Sequence, residues 1–140
     1  MTNQKLLLND HLQNIYKQNA FVNLLEMKLI ELEPGKAKLS MPVNKETHTN
    51  LYKMVHGGAL AALVDTAMGV ACATTGKKVV TLDMNLNFIR GAESQQLLTG
   101  VGTLIHDGKQ TMVAEAEVLD ADNNLLVKAR ATFFVTGSFL

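Results

Sequence analysis

Cysteine, tryptophan and proline are nearly absent: there is one cysteine, Cys72, no tryptophan, and two prolines in 140 residues. A single thiol excludes an internal disulfide, and no Cys/His cluster has the spacing of a zinc site, so Cys72 reads as a small core residue. Aromatic residues make up only 5%, and 13 basic residues are scattered among 13 acidic ones for zero net charge. The stacking platforms and basic stripe of a nucleic-acid binder are therefore missing. Long apolar runs are missing too. In the first 17 residues only Leu6-Leu7-Leu8 qualifies, and Asn9, Asp10 and His11 follow at once, which is not the pattern of a signal peptide. The apolar stretch 59–73 is too short to span a bilayer and carries Asp65. A soluble, cytoplasmic protein that engages neither nucleic acid nor membrane is expected. With no repeat, linker or low-complexity segment, residues 1–140 read as one domain, with 1–21 as a helical extension.

What the chain does have is His56-Gly57-Gly58-Ala59-Leu60-Ala61-Ala62-Leu63-Val64-Asp65, continuing through Thr66-Ala67-Met68-Gly69-Val70-Ala71-Cys72-Ala73. Alanine, leucine and methionine favour a helix, and one that is apolar all round must be enclosed, here by a sheet wrapped about it. Asp65 is the anomaly. A carboxylate among apolar neighbours is costly to bury unless partnered, which leaves two readings: a functional acid, or a structural one tied to backbone or to a hydroxyl such as Thr66. Adjacent glycines at a helix start cost about 0.5–1 kcal/mol each relative to alanine, so something approaches the backbone closely at Gly57 and Gly58. Their N–H groups stand at the positive end of the helix dipole and form an anion site.

A donor for a developing oxyanion and a carboxylate that attacks or activates water are the two parts of an acyl-transfer site. Yet positions 57 and 65 lie about 12 Å apart along one helix, too far to serve one carbonyl. A second copy running antiparallel would bring its own Asp65 to the first copy's Gly57, giving a homodimer with two shared sites.

The remaining pattern is that of antiparallel strands. Asn9 or Asp10 is expected to cap a short helix presenting Leu12, Ile15 and Tyr16. Leu25, Met27 and Leu29, with Glu31 in phase, then alternate with Glu26, Lys28 and Ile30 up to a Pro34-Gly35 turn. Ala37, Leu39 and Met41 alternate with Lys36, Lys38 and Ser40 on the way back. Residues 42–55 are polar and irregular, as an active-site loop would be. After the helix, Thr81, Asp83, Asn85 and Asn87 alternate with Leu82, Met84, Leu86 and Phe88, one face for the helix and one for water or a partner. Residues 97–105 form a further strand, turned back by His106-Asp107-Gly108. A last hairpin turning at Asp122-Asn123 sets Glu117 against Lys128 and Glu115 against Arg130. His11, His48 and His106 have no visible partner.

Residues 50–69, together with Val80-Thr81-Leu82-Asp83-Met84-Asn85, resemble the hotdog-fold acyl-CoA thioesterases of the phenylacetate-pathway (PaaI-like) type. The motif is an Asn in the loop, His-Gly-Gly at the helix start, an acid seven residues after the second Gly, and a Thr/Ser-x-Asp strand. Val113-Ala114-Glu115-Ala116-Glu117-Val118 and Ala129-Arg130-Ala131-Thr132-Phe133 are similar to the family's closing strands, extending the likeness over residues 24–136. The resemblance implies an α+β hotdog fold, an antiparallel sheet wrapped around one long helix. It also implies Asp65 as general base or nucleophile, the Gly57 N–H as oxyanion donor, His56 orienting the helix entry and Asn50 near the thioester or attacking water. Gly58 and Thr81 would line the substrate, Thr81 beside Asp65, and Arg90 matches a position that can lie near the CoA phosphates. The family often has Gly in place of Lys53 and Pro in place of Gly91. A solvated Arg90 and a merely capping His56 are the structural readings of those two residues.

The expected activity is hydrolysis of an acyl-CoA thioester to free acid and CoA, by a homodimer or homotetramer without metal or redox cofactor. Two rivals stand. An acyl-thioester hydratase or dehydratase on this fold needs an acid/base pair, but His56 and Asp65 lie half a revolution apart on one helix. A non-catalytic acyl-CoA sensor would have no need of Asp65.

Overall fold

The computed structural model describes residues 3–140. In chain order the elements are α1 (Asn3–Lys17), α2 (Ala20–Leu24), β1 (Lys28–Glu33), β2 (Lys36–Pro42), α3 (Gly57–Ala73), β3 (Lys77–Phe88), β4 (Leu97–Asp107), β5 (Thr111–Leu119) and β6 (Leu125–Ser138). The six strands form one antiparallel sheet in the order β1-β2-β4-β5-β6-β3, with β1 and β3 as its edges.

The apolar run 59–73 forms the expected helix, α3, and the sheet packs on it. Leu39, Met41, Leu98, Met112, Ala114, Ala116, Ala129, Ala131 and Phe133 meet Leu60, Leu63, Val64, Ala67 and Met68 in one core. What lets the helix settle so deeply is a pair of glycines in β4. A Cβ on Gly100 would stand 2.8 Å from Leu63 Cγ, and one on Gly102 would overlap the Ala67 carbonyl. Backbone meets backbone at Gly102.

Enclosure is incomplete, however. Ala61, Ala62, Asp65, Thr66 and Gly69, at helical spacing, remain only half-buried, so α3 keeps one open stripe.

The closing hairpin has the expected register, Glu115 opposite Arg130 and Glu117 opposite Lys128, with ion pairs of 3.1 and 2.8 Å. Its turn differs from the two-residue one expected. The chain bulges between Val118 and Leu119, and Asp120 gathers the N–H groups of Asp122 and Asn124 at 2.9 Å each. Another bulge, between Leu29 and Glu31, turns Glu31 outward to Lys38 at 3.3 Å and brings Leu32 inward, against the simple alternation.

The N-terminal helix starts at Asn3, well before the expected cap at Asn9 or Asp10, because Leu8 and Leu12 continue its buried face against Ala73. Asn19 is the residue that caps: its side chain accepts from the N–H groups of Phe21 and Val22, at 3.1 Å each, and starts α2. The helical extension expected over 1–21 thus runs on to Leu24; Met1 and Thr2 lie outside the described residues. No helix among the described residues is long and apolar enough to cross a membrane.

Candidate active site

His56 takes extended backbone dihedrals, φ −71° and ψ 135°, and its Nδ1 accepts the Gly58 N–H at 2.7 Å. This is an N-cap in which an imidazole replaces the usual hydroxyl or carboxylate. Both glycines are needed for room: a Cβ at Gly58 would press on His56 Nδ1 at 3.0 Å, and one at Gly57 would meet Phe88 Cζ at 3.3 Å. The close approach that the glycines signal is therefore made by the chain's own side chains. It also corrects the expectation of a double anion site. The Gly58 N–H is taken by its cap, while the Gly57 N–H has no acceptor among the described residues. A single donor remains at the positive end of α3.

Asp65 sits on the open stripe, and the Thr81 hydroxyl donates to its Oδ1 at 2.7 Å. Thr66, the alternative partner, donates instead to the Ala62 carbonyl at 2.7 Å. Simple alternation would place Thr81 with Asp83, Asn85 and Asn87 on the outer face. A register shift between Thr81 and Asp83 reverses that phase, so Thr81 joins the helix side ahead of Met84 and Leu86.

Asp65 and Gly57 open into different cavities of the same chain. Asp65, Thr66, Gly69 and Thr81 line a groove of about 420 Å³. Gly57, Leu60, Phe88 and Arg90 line another of about 280 Å³. Arg90 is exposed at this second site, and its charge reaches Asp120, whose carboxyl is held below the usual range chiefly by the Asn124 side chain.

Asn50 organises the loop ahead of α3. Its Oδ1 accepts the N–H groups of Tyr52 at 2.9 Å and Met54 at 3.1 Å, and its Nδ2 has no acceptor among the described residues. Lys53 lies inside this turn with φ +62°, the left-handed region, which accounts for glycine as the common residue there in the resembled family. His48, expected to be unpartnered, is fully buried: its Nδ1 accepts the Asn44 N–H at 3.0 Å, so Nε2 carries the proton and donates to the Leu25 carbonyl at 2.7 Å. Through its own carbonyl, which accepts the His56 N–H at 2.7 Å, it fixes the approach to the cap.

Two residues of the site were missed from sequence, Phe88 beside Gly57 and Tyr16 beside Asp65. Burial pushes the Tyr16 phenol up, and the Asp65 carboxylate pushes it the same way. The only sequence signal for Tyr16 is its place on the apolar face of α1. Among the described residues, no three His, Cys, Asp or Glu side chains cluster as a metal site.

One long helix wrapped by a six-stranded antiparallel sheet is the hotdog fold, and here that helix carries a carboxylate held by a hydroxyl and an N–H with no acceptor among the described residues. The sequence profile of the thioesterase superfamily matches residues 52–127, and the chain belongs to that superfamily. It is 30% identical over 106 residues to the acyl-coenzyme A thioesterase PaaI of Escherichia coli, covering 76% of this chain and 75% of that one. The solved E. coli PaaI protein, from the phenylacetic acid degradation operon, superposes with a TM-score of 0.89 at 27% identity, covering 99% and 98% of the two chains. A Streptococcus mutans protein solved bound to acetyl CoA superposes with a TM-score of 0.76 at 28% identity, covering 80% and 90%.

Proposed function

We propose that this thioester hydrolase cleaves acyl-CoA to the free acid and CoA as a homodimer, a single domain over 1–140, with Asp65 of one protomer and Gly57 of the partner subunit serving one carbonyl. The observation that carries the reading is the separation of the two parts. Asp65 and the unpaired Gly57 N–H open into different cavities, about 12 Å apart along α3. Thr81 marks the first cavity and Phe88 the second, both on β3, whose outer edge is unpaired. Antiparallel pairing of two β3 edges about a two-fold axis brings the Thr81 end of one strand alongside the Phe88 end of the other, joining one cavity of each type.

In that site Asp65 either removes the proton of an attacking water or attacks the carbonyl carbon itself, in which case water then hydrolyses the resulting mixed anhydride to release the acid and restore Asp65. The carbonyl oxygen gathers charge against the Gly57 N–H, the C–S bond breaks, and the thiolate leaves readily because its parent thiol has a pKa near 8.5. Asn50 Nδ2 is free to hold the carbonyl or the water, and Arg90 stands where a CoA phosphate would pass. His56 serves as the cap that aims the Gly57 N–H; Gly58 contributes room for that cap. Kinship to a named acyl-coenzyme A thioesterase and likeness to a protein holding acetyl CoA support CoA as the carrier. A single buried thiol suits the cytoplasm. Half-exposed Ile105 and Phe134, on the sheet face away from α3, suit a further pairing into a homotetramer.

The test is complementation. Asp65→Asn and Gly57→Val, each inactive alone, are mixed under conditions where tagged subunits are shown to exchange. A mixed dimer carries both lesions in one site and none in the other, so activity should return to roughly a quarter of wild type. Complete exchange without recovery places the whole site within one chain.

A further inference from the structure

The groove at Asp65 is walled by β3 on one side and by the N-terminal helices on another. Tyr16, Asn19, Phe21 and Val22 wall it on that side. Behind them lies a larger cleft of about 530 Å³ beneath α1 and α2, lined in part by Gln13, Tyr16, Lys17, Val22, Met27 and Leu29. Tyr16 and Val22 alone line both spaces. Val22 is buried and its amide is fixed by the Asn19 cap, whereas Tyr16 is half-buried and its ring packs between the two apolar clusters of the fold. Tyr16 and Asp65 line the same groove, and the Asp65 charge adds to burial in raising the Tyr16 phenol.

We propose that the Tyr16 ring is the specificity-determining partition of the acyl site, closing the Asp65 groove so that it takes compact acyl groups, a single ring or a short chain, and screens off the cleft under α1 and α2. This rests on acyl-CoA being the ligand. A chain that meets the ring gains nothing by growing longer. With the ring gone, further methylenes enter a space floored by buried Val22 and Met27, and each adds about fourfold in binding.

The experiment uses straight-chain acyl-CoAs from acetyl to palmitoyl together with phenylacetyl-CoA, on wild type, Tyr16→Phe, Tyr16→Leu and Tyr16→Ala. Circular-dichroism melts establish that each variant folds; Tyr16→Leu keeps much of the packing should alanine loosen α1. In parallel, calorimetry measures binding of thioether analogues of the same lengths, which cannot be hydrolysed. In wild type and Tyr16→Phe, kcat/KM and affinity should stop rising at short chains. In Tyr16→Leu or Tyr16→Ala the break should move to longer chains, with the palmitoyl-to-hexanoyl ratio up at least tenfold. Hydrolysis with one length profile in all folded variants overturns the partition and leaves thioester hydrolysis standing. Analogue binding that shows the break and its shift, without turnover, supports the partition and removes the hydrolytic reading. Analogue binding with one length profile in every folded variant, or none at all, also overturns the partition.

Discussion

Thr81 donates its hydroxyl to Asp65 at 2.7 Å across the groove between β3 and α3, and the register shift that follows Thr81 in β3 is what turns it there. A hydrogen bond to an ionised group contributes about 1.5–3 kcal/mol, so loss of the hydroxyl leaves the carboxylate unmoored. Thr81→Val should lower kcat about tenfold or more, while Thr81→Ser, which keeps the donor, should stay near wild type. Asp65→Asn preserves shape and should cut kcat by roughly 10²–10⁴ with an unchanged melting temperature. Steady-state kinetics with free-thiol detection and a thermal melt check both; near-normal turnover by Asp65→Asn would show that hydrolysis does not run through this carboxylate.

The contact between Gly102 and the Ala67 carbonyl leaves no path for relaxation, because backbone rather than a side-chain end blocks it. Gly102→Ala should destabilise the fold by about 2–3 kcal/mol or more, lowering the melting temperature by several degrees. Gly137→Ala is the control, since its Cβ would meet only Lys78 Cδ at an ordinary 3.7 Å. Equal melting temperatures for the two variants would count against the close helix–sheet approach.

Lys53 holds φ +62°, a conformation that costs an L-residue about 1–2 kcal/mol and is worst for β-branched side chains. Lys53→Gly should therefore leave stability within about 1 kcal/mol, the relief offset by a more flexible unfolded chain. Lys53→Val should weaken both stability and turnover, since the turn it sits in holds Asn50. Chemical denaturation with parallel kinetics distinguishes the two variants.

Burial pushes the Cys72 thiol from its ordinary 9.0 up to about 12, with Asp107 adding in the same direction. At pH 8 the native protein should resist a thiol reagent and react once on unfolding. The raised value also gives a sign for pH. The folded state keeps the proton that the unfolded chain gives up, so this contribution to stability is full below about pH 9 and lost as pH climbs towards 12. Tyr16, raised by burial, acts in the same direction above pH 10. Denaturation midpoints should fall across that range; in Cys72→Ser the fall should be shallower.

Sequence patterns carried the helix, the strands and the last register, because each rests on a local periodicity or on charges that must face one another. Glu115 with Arg130 and Glu117 with Lys128 set that register even though the turn between them is longer than expected. Bulges were not legible. Leu82 in β3 and Ile30 in β1 look like ordinary members of an alternation, and only pairing with a neighbouring strand reveals the extra residue. For that reason Thr81 beside Asp65 could be expected from resemblance but not from the pattern of its own strand. The glycines of the motif signalled a close approach correctly; His56, which makes it at Gly58, is two residues away, whereas Phe88, which makes it at Gly57, lies in a part of the chain that sequence alone does not bring there. Tyr16 illustrates the same limit at longer range.

The unpaired edge of β3 also bears on how the chain must be handled as it folds. Twelve residues of strand, with Val80 and Leu82 more than half exposed, offer their free N–H and C=O groups to whichever strand arrives first. With the β3–β3 pairing proposed above, refolding from denaturant becomes a race between orderly capture by another β3 and indiscriminate strand addition. Yield should pass through a maximum with protein concentration, falling on the dilute side for want of encounters and on the concentrated side through precipitation, and a single lysine at Leu82 should flatten the concentrated side.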